Sequence, residues 1–166
     1  MRDARRDSVS FTARTAIIDE MPLSDDERAF AERHRIGRLA TADAAGVPHV
    51  IPICYALVND TFYFVVDDKP KRSRTGLKRL RNIAVNPQVA LVIDAYDEDW
   101  SRLAYLLVHG QAAQVTDPDE YERSLAALRE RYSQYRSMTL TIDTHPMVRI
   151  APARLHWWRA TASTAG

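Results

Sequence analysis

Residues 69–81 carry seven cationic side chains, Lys69, Lys71, Arg72, Arg74, Lys78, Arg79 and Arg81, and no acidic one. Ser73 and Thr75 add hydroxyl groups within the same stretch. This set suits the holding of an anion, phosphate above all, through charge-assisted hydrogen bonds. Thr75 is placed to cap a short helix running to about Val85. Leu77, Leu80, Ile83 and Ala84 then share one face, Lys78, Arg79 and Asn82 lie on another, and Pro87 stops the helix. A helix start would add unpaired backbone N–H groups to the cationic side chains. The same composition also fits a solvated helix face or a nucleic-acid contact. Nucleic acid is disfavoured, because the charge is one short cluster in a chain of formal net charge +1 and no DNA or RNA motif accompanies it.

Other chemistries find little support. His34, His49, His109, His145 and His156 are scattered, and with the single Cys54 they show no zinc-ligand spacing, so no metal site is expected. There is no Gly-x-Ser-x-Gly elbow and no evident base for Cys54, which argues against covalent nucleophilic catalysis. Cys54 itself, within an apolar run, reads as a buried small hydrophobe. Asp67-Asp68 and Asp97-Glu98-Asp99 fall at strand ends and read as solvated turns.

A chain of 166 residues, 46% hydrophobic and 27% charged, is expected to form one globular domain. It has no apolar stretch of membrane-spanning length, no signal-peptide core and no cysteine pair, so a cytoplasmic protein is expected. Residues 1–20, polar and rich in arginine, are expected to form a flexible arm. Ser24 and Glu27 form a capping box that starts a helix reaching about His34. Residues 36–42 and 49–58 then read as strands around an Asp43-Ala44-Ala45-Gly46 turn. Pro52 cannot donate to a ladder, which implies an edge or ligand-facing position for the second strand. Asn59-Asp60 turns into a third strand over 61–66. After the basic segment, strands over 89–96 and 103–116 flank a loop containing Trp100. Asp117-Pro118-Asp119-Glu120 starts a helix that turns Tyr121, Leu125, Leu128 and Tyr132 to the core and ends before Ser137. A last strand over 148–158 is expected to break at Pro152. Six strands with two inserted helices predict a mainly β, closed or partly closed antiparallel barrel with peripheral helices. A doubly wound fold is disfavoured, since no glycine-rich loop follows a strand.

Four pieces, in order, carry a family resemblance: Arg38-Leu39-Ala40-Thr41-Ala42-Asp43; Gly46-Val47-Pro48-His49-Val50-Ile51-Pro52-Ile53; Arg79-Leu80-Arg81-Asn82-Ile83 with Asn86-Pro87; and His109-Gly110. Over about residues 24–160 the chain resembles the flavin-reductase-like, FMN-binding split β-barrel of the pyridoxamine 5'-phosphate oxidase superfamily, and more closely its branch of deazaflavin-dependent enzymes. The resemblance implies a split-barrel cofactor domain over 21–162 and a homodimer with cofactor sites at the subunit interface. The cofactor ring would lie along the strand of residues 50–55, contacted by Pro52, Ile53, Cys54 and Tyr55. Lys71, Arg72, Lys78 and Arg79 would meet the phosphate, Lys71 and Arg79 first among them. Trp100, and Trp157 or Trp158, would wall the ring or substrate pocket. The function implied is an oxidoreductase in which reduced coenzyme F-420 gives a hydride to a small or medium organic acceptor, with Tyr55, a held water or solvent supplying the proton. FMN in the same fold is one rival. A non-enzymatic protein binding flavin, deazaflavin or haem is another. A cofactor that carries the hard chemistry accounts for the missing side-chain triad.

Overall fold

The computed structural model describes residues 21–67 and 77–160. Helix α1 (Asp25–Arg33) opens with the expected capping box: the Ser24 hydroxyl accepts from the Glu27 N–H, and the Glu27 carboxylate accepts from the Ser24 N–H at 2.8 Å. Strand β1 (Ile36–Ala42) turns at Asp43, whose carboxylate accepts from the N–H groups of Ala45 and Val47, and β2 (Pro48–Cys54) returns antiparallel beside it.

The run expected as one strand over 49–58 is two. The chain leaves β2 at Tyr55 and starts β3 (Ala56–Val58), which pairs with β4 (Thr61–Val65). A corner removes backbone polar groups from the ladder, and when buried they need other partners. Tyr132 supplies them, because its hydroxyl accepts from the Tyr55 N–H at 3.0 Å and lies 2.9 Å from the Tyr55 carbonyl oxygen. Asn59 and Asp60, with φ of 47° and 63°, make the tight β3–β4 turn.

Helix α2 (Lys78–Val85), β5 (Gln88–Ala95), β6 (Ala104–Gln114), α3 (Pro118–Arg131) and β7 (Met147–Arg159) complete the described elements. The sheet order is β2-β1-β5-β6-β7-β4-β3, with antiparallel pairing throughout. The sheet curls, since Ile53 of β2 and Phe62 and Phe64 of β4 join Leu39, Leu91, Leu106 and Ile150 in one buried cluster. Tyr63 and Val65, on the other face of β4, pack with Tyr121, Leu125 and Leu128 of α3. Burial on both faces explains why β4 reads as a continuous apolar run. The result is a mainly antiparallel half-barrel of seven strands with three helices, the split barrel that the resemblance implies. Among the described residues no helix is long and apolar enough to cross a membrane.

β7 continues through Pro152 instead of breaking there. The β6–β7 register shifts between His109 and Gly110, and Gly110 lies opposite Pro152, so a bulge absorbs the missing N–H. A Cβ at Gly110 would stand 2.5 Å from the Ala151 carbonyl oxygen, which leaves room for glycine alone.

The α3 layer sets an alkaline limit. Burial first, and then the Glu120 and Glu122 carboxylates respectively, push the phenols of Tyr63 and Tyr121 up to about 12. In the unfolded chain they ionise near pH 10, as ordinary tyrosines do. Their stabilising contribution is therefore complete below about pH 10 and is lost as pH rises through about 12. The thermal midpoint is expected to fall steadily between about pH 10 and pH 11.5, with a shallower fall in Tyr121→Phe. A flat profile for the parent protein would contradict the assignment.

Candidate functional site

The site starts from the N-terminus of α2. Leu77 holds the cap position and provides no side-chain cap, so the helix begins later than a Thr75 cap would place it. Thr75 lies outside the described residues, as do Lys69, Lys71, Arg72, Ser73 and Arg74. The Leu77 carbonyl accepts from the N–H groups of Leu80 and Arg81 at 3.0 and 3.2 Å. The N–H groups of Lys78 and Arg79 precede those bonds and keep no partner among the described residues.

Two contacts fix α2 on the sheet. The buried Asn82 donates from Nδ2 to Thr41 Oγ1 of β1 at 3.0 Å. Lys78 Nζ donates to Asp43 Oδ2 at 3.0 Å, and this bond, reinforced by the Val47 N–H, holds the Asp43 carboxyl below the usual range. Lys78, expected at the phosphate, is thus turned to the β1–β2 turn as a tether and does not line the cavity on the other side.

Arg79 faces that cavity. It lines a space of about 240 Å3 together with Pro52, Ile53, Cys54, Asp67 and Tyr135. Its Nε is buried and has no hydrogen-bond partner among the described residues. Burial pulls the guanidinium below its ordinary pKa, and the charge of Asp67 opposes the shift. A buried donor left unsatisfied costs about 1–3 kcal/mol. An anion in the cavity would meet this donor, and the N–H groups of α2 that have no partner among the described residues belong to the same first turn. The residues present therefore fit a phosphate. They also suit a flat ring beside it, since Ile51, Pro52 and Cys54 lie on β2, an edge strand whose outer backbone groups have no neighbouring strand among the described residues.

Two other residues stand differently from the sequence reading. Asp67, read as part of a solvated turn, is only 3% exposed and forms part of the cavity wall. Cys54, read as a buried hydrophobe, is half-buried and borders both this cavity and a larger adjoining chamber. Tyr135, which the sequence reading missed, also borders both. Its hydroxyl lies 3.5 Å from Asp67 Oδ2. Burial, followed by the neighbouring Cys54 and Asp67, keeps the phenol neutral far above its usual range. Its signal in the sequence is the Tyr132, Tyr135 pair at three-residue spacing. Because α3 ends at Arg131 and a tight 3-10 turn follows over Ser133–Arg136, that pair bends around the site instead of continuing the helix.

Tyr55, expected beside the ring, lines neither cavity. Its side chain is 1% exposed, and its hydroxyl lies 2.7 and 2.6 Å from the carbonyl oxygens of Ala31 and His34, sealed under α1. Trp100 sits in a 3-10 turn between β5 and β6, 72% exposed, and lines neither cavity. Trp157 packs edge-on against Phe30 with ring centroids 4.5 Å apart, and Trp158 stacks on Tyr105 at 5.6 Å.

Known proteins resemble the chain in sequence or in fold. The 5a,11a-dehydrotetracycline/5a,11a-dehydrooxytetracycline reductase of Streptomyces rimosus is 30% identical over 94 residues, which span 55% of this chain and 63% of the reductase. The haem storage protein HutZ of Vibrio cholerae superposes with a TM-score of 0.62 at 18% identity, covering 84% of this chain and 95% of HutZ. An FAD-binding protein of Mesorhizobium loti gives 0.60 at 20% identity, covering 81% of this chain and 94% of that protein. Both structures share the curled sheet. Residues 23–162, nearly the whole described region, match the model of the pyridoxamine 5'-phosphate oxidase family, and the chain belongs to that family.

Proposed function

We propose that the protein is an oxidoreductase that uses reduced coenzyme F-420 to pass a hydride to a small or medium organic acceptor. The observation that carries this reading is the orphaned Nε of Arg79 in a cavity walled by Pro52, Ile53 and Cys54. When bound, the reduced deazaflavin supplies the hydride. The chain's own task is to bind, orient and exclude water. Arg79 and the first turn of α2 hold phosphate, joined by Lys71 and Arg72. The outer edge of β2 meets the polar rim of the ring, and Pro52, Ile53 and Cys54 give it an apolar bed. Tyr135 replaces Tyr55 as the O–H group beside the acceptor. The reductase from Streptomyces supports the oxidoreductase class.

A homodimer is part of the proposal. Ile36 and Val50, on the paired strands β1 and β2, are exposed apolar residues, and β2 leaves an uncovered sheet edge. A second copy over this face would cover that edge, close the cavity beside it and give Trp100 a site to wall.

FMN is the second reading, because its ribityl phosphate makes the same demands on Arg79. The deciding experiment titrates the purified protein with F-420, FMN and haemin and records spectra before and after reduction. F-420 is expected to bind most tightly, in two equivalent sites per dimer. Tighter FMN binding would change the cofactor and keep the class. Failure of both below about 1 mM, a binding energy of only about 4 kcal/mol, would overturn the proposal, and binding of haemin alone would make the protein a haem carrier.

A further inference from the structure

A chamber of about 510 Å3 adjoins the cofactor cavity, between the β1–β2 pair and the segment that follows α3. The two spaces share Cys54, Asp67 and Tyr135 as wall residues, so a molecule in one lies against a molecule in the other. The volume falls within the roughly 300–1,000 Å3 usual for small-molecule sites.

The walls of the chamber select a shape. Tyr132 and Tyr135 stand edge to face, with centroids 5.6 Å apart and planes at 69°, and Ile36 and Met138 add apolar surface. Aromatic walls of this kind favour a flat, largely apolar body.

The walls also select a polarity. Arg35 is exposed and stands at the mouth, whereas Asp67 is buried at the end shared with the cofactor cavity. The Arg35 guanidinium is held in place by donating one N–H to the Arg131 carbonyl and by lying 5.7 Å from the centre of the Tyr132 ring. Its other N–H groups have no partner among the described residues. A cation is thus pre-positioned at the entrance. The inner end, where the two cavities meet, presents instead the Tyr135 phenol and the Cys54 thiol, which suit a neutral part of a ligand.

We infer that this chamber is the acceptor site and that it takes a planar organic anion, held with its charged group at Arg35 and its neutral carbonyl end against Tyr135 and Cys54. The inference rests on the cofactor reading given above. In the reaction one C=O becomes CH–OH: a hydride reaches carbon, a proton from water reaches oxygen, and both electrons are those of the reduced cofactor. Gln134, at the rim, offers a further donor to the anionic group.

The test uses two non-reacting probes of one shape, anthraquinone-2-carboxylate and its neutral carboxamide, titrated calorimetrically into the protein with and without FMN in its oxidised form. The carboxylate is expected to bind about tenfold more tightly, the margin of a charge-assisted contact. Arg35→Gln is expected to remove that margin and leave the carboxamide unchanged. Met138→Trp, which fills the chamber, is expected to weaken both probes by more than about tenfold at unaltered FMN affinity. Equal affinity of the two probes for the parent protein overturns the inference, whatever the variants do. So does a carboxylate preference that survives Arg35→Gln. If FMN and F-420 fail to bind while the preference still follows Arg35, the cofactor reading falls and the anion chamber stands.

Discussion

Replacing Arg79 with alanine is expected to weaken binding of F-420 and FMN by about 10- to 100-fold, because a hydrogen bond involving a charged group contributes roughly 1.5–3 kcal/mol. Arg79→Lys separates the parts of this effect. Lysine keeps the positive charge that faces Asp67, so the fold and the local electrostatics persist, but it has no Nε and no planar fork. Since Nε is the donor without a protein partner, Arg79→Lys should lose about tenfold in affinity and leave the thermal midpoint of the free protein nearly unchanged. Calorimetric titration and a melting curve on each variant check both expectations. Unchanged affinity in Arg79→Ala would move the phosphate to Lys71 and Arg72 and remove the main support for the proposed function.

The largest loss of stability is expected from Arg131→Met. Arg131 comes from the last turn of α3 and reaches the far end of α1, where its guanidinium donates to the carbonyls of Ala31, Glu32 and His34. Its Nε donates to the Tyr132 hydroxyl at 3.1 Å, and the group lies 5.2 Å from the centre of the Tyr55 ring. A single side chain therefore satisfies carbonyls left open at a helix end and braces the corner at which β2 gives way to β3. Methionine preserves much of the volume and removes every donor. Water can reach Glu32, which is exposed, but the buried Ala31 carbonyl would keep only the Tyr55 hydroxyl, whose single proton it shares with the His34 carbonyl. A loss of about 2–3 kcal/mol follows, or a fall of roughly 5–10 °C in Tm for a chain of this size. Arg131→Lys should recover less than half, because an ammonium cannot span three carbonyls. A fall under about 1 kcal/mol would mean that solvent replaces the guanidinium and that Tyr132 alone holds the corner.

The Tyr55 corner also marks the boundary between what sequence patterns disclose and what they do not. Residues 49–58 form one apolar run, and nothing within it distinguishes a long strand from two short ones. The break depends on Tyr132, which is 77 residues away in the chain. Asp67 illustrates the same point for chemistry. A carboxylate at a strand end is ordinarily solvated, whereas here Tyr135 and Arg79, distant in the chain, join it in a buried wall. Lys78 and Arg79 are adjacent and equally cationic, yet one grips Asp43 and the other faces the cavity, because neighbours on a helix point about 100° apart.

The sequence alone determined the basic residues at the start of a short helix, the capping box of α1, the acidic cap of α3, the turns, the antiparallel barrel and the family. The helix starts, turns and antiparallel barrel follow from periodicity and local chemistry within a few residues, and the family from the resemblance carried by four ordered pieces of the chain. The tertiary structure alone decided that Arg79 and not its neighbour Lys78 lines the cavity, that Tyr55 is sealed in the core while Tyr135 borders the site, and that Arg35, Tyr132 and Tyr135 meet around the adjoining chamber. Those outcomes depend on burial and on which distant groups become neighbours when the sheet curls, and long-range closure of that kind leaves no periodic trace in the chain.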